Sequence, residues 1–536
     1  PIDPDSCARN YIIYLSNGAA QDNASDNREA TDQLTTAATA EGITGATTEI
    51  PISPTGSTGN VANEWARFMY RSSKNIVTYT VDVDRITNGQ GPGWTALLQS
   101  IATVSHGKYF SVTSGNGGAQ IADALGVIFS EIQAVNSVFA SVSLPLSINS
   151  QGTYLNQIYV GVFRPDADAL PRWNGNLKQY KLGLVNGALR TLDADDASAI
   201  NSSTGFITEC ARSFWTTADT YWSFRPQGGC IGANDASNSP DGNVVEKGAQ
   251  AQRLRSSTTR TLTTCTTSNF ECTGGLVNFN NSNVTQANVM AASTAERDAL
   301  INWQRGLDID DENVNAVTST EMRASAHGDV VHSRPVAINY GTNAVPEVVV
   351  FYSGNDGVLR AINGNRTTNI GSVPAGNEMW AFVPPEFFDQ IKRLRDNNAQ
   401  ITFLGNTTTT PAPQPKPYGF DGPLTSYTHA GDTWIFGGMR RGGRMIYAFD
   451  VSDITDDPDS PSLKWRLGCP NLDDDVGCTA VDITDIGQTW SSPTVLKASG
   501  YFDVVSIAGV DTNVPKPMLI MGGGYDSCED ADPHTC

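Results

Sequence analysis

The stretch from His327 to Pro385 most limits what this chain can become. It reads HGDVVHSRPVAINY, then VVVFYSGNDGVLRAINGN, then EMWAFVPP. The run Val348–Tyr352 is β-branched and aromatic, too short for a helix, and bounded by Pro346 and Gly354, so it predicts a strand buried on both faces. A second strand closes at Ala361-Ile362-Asn363, and the glycine turn SGNDG between the two makes a hairpin. The same arrangement returns at Trp434-Ile435-Phe436, Gly437-Gly438 and Met445–Asp450, and starts again at Met518–Met521 before Gly522-Gly523-Gly524. One small β unit recurring at a spacing of tens of residues predicts a radial β repeat such as a propeller.

A chain of 536 residues is too long for one core, so several domains are expected. No run of eighteen apolar residues occurs, so no membrane span is expected. The net charge of -21 argues against nucleic acid or anionic lipid as a direct partner, because both require a basic face. It is compatible with divalent cations.

Eight of the 9 cysteines fall into local pairs: Cys210 with Cys230, Cys265 with Cys272, Cys469 with Cys478, and Cys528 with Cys536. None has Cys-x-x-Cys spacing and no histidine cluster lies nearby, so disulfides are favoured over zinc. Disulfides imply the periplasm or the cell exterior. Cys7 is left over. The sequence opens on Pro1 without methionine or signal peptide, and is expected to begin inside a longer chain that could hold the partner of Cys7.

Before residue 137, strands and helices alternate. Residues 11–18 read as a buried strand, Val61–Arg71 as a helix, Ile76–Val83 as a strand, Trp94–Ser105 as a helix, Lys108–Val112 as a strand and Ala119–Val135 as a long amphipathic helix. Such alternation predicts a parallel sheet covered on both faces. From Ser137 the pattern turns β-rich, with hairpin turns expected at Asn174-Gly175 and Asn186-Gly187. Residues 193–325 mix polar excursions with a helix near Ala295–Arg305. The domain plan is therefore 1–136, 137–325 as a β-rich connector with stapled loops, and 326–536 as the first units of a propeller.

The motifs GDVVHSRPV, YSGNDGVLRA, EMWAFVPP, IGQTWSSP and MGGGYD, in that order, resemble the C-terminal propeller of the PilY/PilC family of type IV pilus tip and biogenesis proteins. The resemblance implies a multidomain chain: a partial α/β von Willebrand factor A-like domain, then a β-rich connector, then a quinoprotein-like β-propeller that is incomplete here. It implies a role in pilus biogenesis, surface adhesion and twitching motility. The implied partners are minor pilins, the pilus shaft and a host or abiotic surface, with the protein extracellular at the pilus tip or bacterial surface. The family also binds calcium through an Asp/Asn-rich loop.

Four acidic clusters could supply such oxygens: Asp308–Glu312, Asp456–Asp459, Asp473–Asp475 and Asp526–Asp532. Calcium takes six to eight oxygens, often from carboxylates at alternating positions. Asp526, Asp530 and Asp532, within the loop expected between Cys528 and Cys536 or at its edge, are the calcium candidates; a solvated acidic loop is the plainer reading. At the A-like strand end Asn17 stands where such domains often place an aspartate, and an amide is the weaker ligand. No catalytic set is recognised: the five histidines have no metal spacing, and neither G-x-S-x-G nor a Walker loop occurs. His332 next to Ser333 is read as a strand end, not a nucleophile pair. Trp380, Trp434, Trp465 and Trp490, each beside a strand signal, are read as propeller core. The alternatives are a secreted quinoprotein-like oxidoreductase, disfavoured because no Cys-Cys pair occurs, or a carbohydrate-binding exoprotein.

Overall fold

The structure is a computed structural model that describes residues 10–16, 24–55, 60–72, 74, 76–83, 91–112, 120–122, 124–125, 128, 139–141, 156–166, 168–201, 207–222, 237–257, 260–265, 272, 275–313, 315–318, 320–402, 410–472, 474–480, 483–507 and 509–525. The chain divides into two compact units, Pro1–Asn136 and Ser137–Cys536.

The first unit is α/β. Its order is β1 (Asn10–Ser16), α1 (Ala24–Ala40), α2 (Ala62–Arg71), β2 (Ile76–Val83), α3 (Gly91–Val104) and β3 (Tyr109–Val112), with the strands parallel in the order β1-β2-β3. The two faces of β2 are covered differently. Tyr79 and Val81 pack with Val112, Ala124 and Ile128, whereas the Thr80 hydroxyl donates to the Leu98 carbonyl of α3 at 2.9 Å. Helix α1 falls in a Thr- and Ala-rich stretch for which no element was expected. Leu34 and Ala38 supply its buried stripe, and the hydroxyls of Thr31, Thr35, Thr36 and Thr39 each donate to the carbonyl four residues back. That internal bonding satisfies side chains that otherwise favour turns. Of the helix expected over 119–135, only 120–122, 124–125 and 128 are described, and they are helical.

The second unit is built from mainly antiparallel sheets. The first joins β4 (Phe139–Ser141), β5 (Gln157–Arg164), β6 (Asn174–Val185) and β7 (Ala188–Leu192). Asn186 and Gly187, at φ 50 and 76, form the two-residue turn between β6 and β7, the left-handed pair that matches strand twist. Asn174-Gly175, expected as a second turn, instead opens β6, paired with Arg164 and Phe163. Glycine is required there for close approach: a Cβ at 175 would sit 2.0 Å from the Gly328 carbonyl oxygen.

Beyond it, β8 (Thr263–Cys265), β9 (Leu276–Asn278), β10 (Val336–Asn339), β11 (Val348–Ser353), β12 (Leu359–Asn363) and β13 (Glu378–Phe382) form one sheet in the order β10-β11-β12-β13-β8-β9. Phe382 pairs with Thr263, so β8 and β9 join this sheet across the boundary expected at 325/326. A four-stranded antiparallel sheet follows, from β14 (Leu424–His429), β15 (Asp432–Gly438), β16 (Arg444–Asp450) and β17 (Ser462–Cys469), and then the two-stranded pair β18 (Thr494–Ile507) and β19 (Val510–Ile520).

The β10–β13 and β14–β17 sheets share one core. Phe351, Trp380 and Phe382 meet Phe420, Tyr447 and Phe449 in it, with the Phe382 and Phe449 rings 4.9 Å apart. Every residue of β11 and β12 is buried, as the unbroken apolar run predicts. The tryptophan expectation holds only for Trp380, which is 4% exposed. Trp465 and Trp490 are 37% and 36% exposed, and Trp434 is half-buried beneath the Lys464 ammonium at 4.1 Å. Phenylalanine and tyrosine fill the space between sheets instead, while Trp434 and Trp490 pack under cations.

Candidate functional site

The opening strands and turns of the β10–β13 sheet close around a buried polar knot. Gly357 has φ 79 and ends the SGNDG turn, which aims Asn355 and Asp356 in different directions. Asn355 donates its side-chain amide to Asp329 Oδ2 at 2.9 Å and to Asp421 Oδ1 at 3.1 Å. Lys416 Nζ lies 3.3 Å from Asp329 Oδ1, and His332 Nδ1 donates to Asp421 Oδ2 at 2.7 Å. On the other side Asp356 forms a two-pronged ion pair with Arg360, whose guanidinium also faces Glu378 Oε2 at 3.6 Å. Glu378 in turn accepts from Nε and Nη2 of Arg260, each at 2.7 Å.

Burial raises the Asp329 carboxyl, opposed by Lys416. Burial also pushes Asp356 upward, but the Arg360 guanidinium outweighs it and holds the carboxyl at about 2. His327 is buried and lowered to about 3, first by burial and then by Arg360. It is therefore neutral: Nδ1–H donates to the Gly328 carbonyl at 2.7 Å, which leaves Nε2 to accept from the Tyr352 hydroxyl at 2.8 Å. Ser333 Oγ accepts from the Ser353 amide at 2.9 Å. The chemistry of this set is cohesive: each carboxylate meets a cation or amide, and the set pins residues 327–333, the 353–357 turn and segment 416–421 to one another.

Residues 333–514 match the family described as the PilY1 beta-propeller domain. This stretch belongs to the PilY1 propeller family. The chain is 24% identical over 225 residues to the type IV pilus biogenesis factor PilY1 of Pseudomonas aeruginosa strain PAO1, and equally to that of strain PAK. Each match spans 37% of this chain and 16% of the relative, so the chain covers about a sixth of the relatives' length. A solved structure, the P. aeruginosa PilY1 C-terminal domain, is similar at 24% identity over 28% of this chain and 22% of that one, with a TM-score of 0.16. The knot residues Asn355, Asp356, Arg360, Lys416 and Asp421 fall within the PilY1 propeller match, with His327, Asp329 and His332 just ahead of it.

The residues expected to hold calcium, Asp526, Asp530 and Asp532, lie outside the described residues, as do Asn17, Cys7, Cys230, Cys528 and Cys536. Two expected disulfides are formed, Cys265–Cys272 and Cys469–Cys478, and Cys210 is disulfide-bonded. Cys469, Cys478 and Asp475 bring three potential ligand atoms within 4.8 Å. The two sulfurs are bonded to each other, so neither is free as a thiolate. The described acidic groups mostly serve the fold: Asp308 caps the Glu312 amide at 2.8 Å, Asp310 pairs with Arg395 at 2.8 Å, Glu312 pairs with Arg172, and Asp475 pairs with Arg444 at 2.9 Å.

Three buried groups were missed. Asp329 and Asp421 are the knot's shared carboxylates, and their signal was a lone Asp beside Gly in GDVV and FDGP, embedded in apolar sequence. In the first unit, Asp82 at the end of β2 is fully buried; its Oδ2 accepts from Thr95 at 2.7 Å and Tyr109 at 3.0 Å.

Proposed function

We propose that this chain is part of a type IV pilus biogenesis factor displayed at the pilus tip or on the bacterial surface. The PilY1 propeller match over residues 333–514 carries the reading. In it, the second unit serves assembly of surface pili and contact with a host or abiotic surface, and thereby twitching motility. Minor pilins and the shaft are its partners, and no step of the role is catalytic. The first unit is read as part of a von Willebrand factor A-like domain; its parallel β1-β2-β3 sheet with helix α3 packed on β2 supports that reading. Calcium held by Asp526, Asp530 and Asp532 belongs to the same proposal. The disulfides support an exported protein, and no described helix is long and apolar enough to cross a membrane.

Shearing pili from cells that natively make the chain, then probing the sheared fraction with an antibody to the second unit, tests the placement. Co-purification of the chain with the pilin supports it. A chain confined to the cell pellet while pilin is recovered would overturn it.

A further inference from the structure

The short turn after β15 carries a feature that the polar knot and the pilus reading leave unused. Arg440 and Arg441 stand side by side at the start of the turn Arg440–Gly442, and both guanidiniums lie over the indole of Trp490, at 4.4 and 5.4 Å from the ring centre. Arg441 also donates to the Tyr418 hydroxyl at 3.2 Å and sits 5.6 Å from that ring. Two like charges are thus gathered on one aromatic platform.

The turn is held in this shape from below. Arg440 adopts φ 51, a left-handed conformation that a non-glycine residue holds only where its surroundings fix it. The amides of Met439 and Arg440 both donate to Thr489 Oγ1, at 2.8 and 3.1 Å. Thr489 is buried and immediately precedes the platform residue Trp490. Trp490 is fixed in turn by its Nε1–H, which donates to Gln488 Oε1 at 3.0 Å. Gly442 lies against the backbone at Tyr418-Gly419, where a Cβ would come within 2.0 Å of the Gly419 oxygen. One residue, Thr489, therefore couples the arginine turn to the ring beneath it.

The charge on this platform is only partly balanced. Asp421 Oδ2 faces Arg440 at 3.6 Å, but that carboxylate is buried and shared with His332 and Asn355. Arg441 is exposed and has no carboxylate partner among the described residues. In a chain of net charge -21, polyanions such as nucleic acid or an anionic membrane are repelled as a whole. A single carboxylate on an otherwise neutral peptide is not, and a guanidinium fork matches it geometrically. The indole and phenol edges suit an apolar neighbour of that carboxylate.

We infer that Arg440 and Arg441, backed by Trp490 and Tyr418, form a binding site for a peptide carboxylate flanked by apolar residues. The inference does not depend on the pilus reading. The carboxylate could come from an acidic side chain or a chain terminus. The test is calorimetric titration of the full chain with N-acetyl-Leu-Glu-Leu amide, with N-acetyl-Leu-Leu-Leu free acid, and with N-acetyl-Leu-Gln-Leu amide as the neutral probe.

Saturable binding of one or both acids at roughly millimolar or tighter Kd is expected, together with a loss of about tenfold or more in Arg441→Gln and weakening at about 0.5 M salt. Whichever acid binds identifies the source. The exposed Arg334→Gln variant should bind like the parent, and an unchanged thermal midpoint of Arg441→Gln shows that the loss is not unfolding. Absence of saturable binding, equal binding of the neutral probe, or equal affinity in Arg441→Gln overturns the site. A variant with Asp526, Glu529, Asp530 and Asp532 changed to amides covers the remaining case. If only that variant binds the peptides, the chain's own acidic segment is the occupant and the external ligand is refuted.

Discussion

The hydroxyl of Tyr447 donates to Glu386 Oε2 at 2.5 Å, while the other oxygen of Glu386 meets Arg466 at 2.7 Å. Tyr447 lies in β16 and Arg466 in β17, whereas Glu386 follows β13, so a single buried carboxylate joins two consecutive sheets. Both charged side chains are nearly inaccessible. Removing one partner of such a pair strands the other charge, at a cost of about 3–5 kcal/mol, whereas replacing both with apolar groups costs far less. Arg466→Met should accordingly lower the urea midpoint of the second unit sharply, and Glu386→Leu with Arg466→Met should recover most of the loss. Equal losses in the single and double variants would show that the carboxylate is not bridging the sheets.

Gly357 makes a second point of rigidity. Its φ of 79 is left-handed, and a Cβ there would lie 2.0 Å from the Phe387 ring. Gly357→Ala combines backbone strain with a clash in the core, so a destabilisation of about 2 kcal/mol or more is expected. Gly431, also left-handed but with open space around it, is the control: Gly431→Ala should cost about 1 kcal/mol. Matching losses in the two variants, read from denaturant midpoints, would contradict the packing described here.

Acid should unfold this unit partly through His327. Its folded pKa of about 3 lies below the ordinary 6.5, so between those values the unfolded chain binds the extra proton. Stability from this group is complete above about pH 6.5 and is lost as pH falls toward 3. Asp356, held at about 2 against an ordinary 3.8, adds a loss over the lower window from about pH 4 to 2. Asp329 and Glu386, both raised by burial, act in the opposite sense, since their stabilisation declines as pH rises above their unfolded values. In a His327→Gln variant the decline of stability between pH 6.5 and 3 should be shallower by up to one proton per molecule. An unchanged slope would mean that His327 is protonated in the folded protein.

How much of this was legible in the sequence depended on whether a residue's surroundings were local. Val348–Ser353 was readable because a fully buried strand advertises itself in consecutive apolar residues, and Ile76–Val83 because its residues alternate with a strand's period of two. Asn186-Gly187 was readable because a two-residue turn is set by its own backbone. Asn174-Gly175 carries the same dipeptide yet sits in a strand, since what demands glycine there is Gly328, more than 150 residues away. Distance also hid the polar knot: Asp329, Asn355, Lys416 and Asp421 are scattered over 93 positions, counting both ends from Asp329 to Asp421. The tryptophans erred for a related reason. Spacing beside strands cannot say which face of a sheet a ring occupies, and Trp465, on the outer strand β17, faces outward.

The central claim is that the PilY1-type region serves pilus biogenesis, and deletion of residues 327–536 in cells that natively make the chain tests it most directly. Surface pili would be counted by electron microscopy and twitching zones measured, with the truncated protein confirmed by immunoblot. The account predicts a marked loss of surface pili and of twitching, restored by the full chain in trans. Normal piliation and normal twitching in the deletion strain would contradict it.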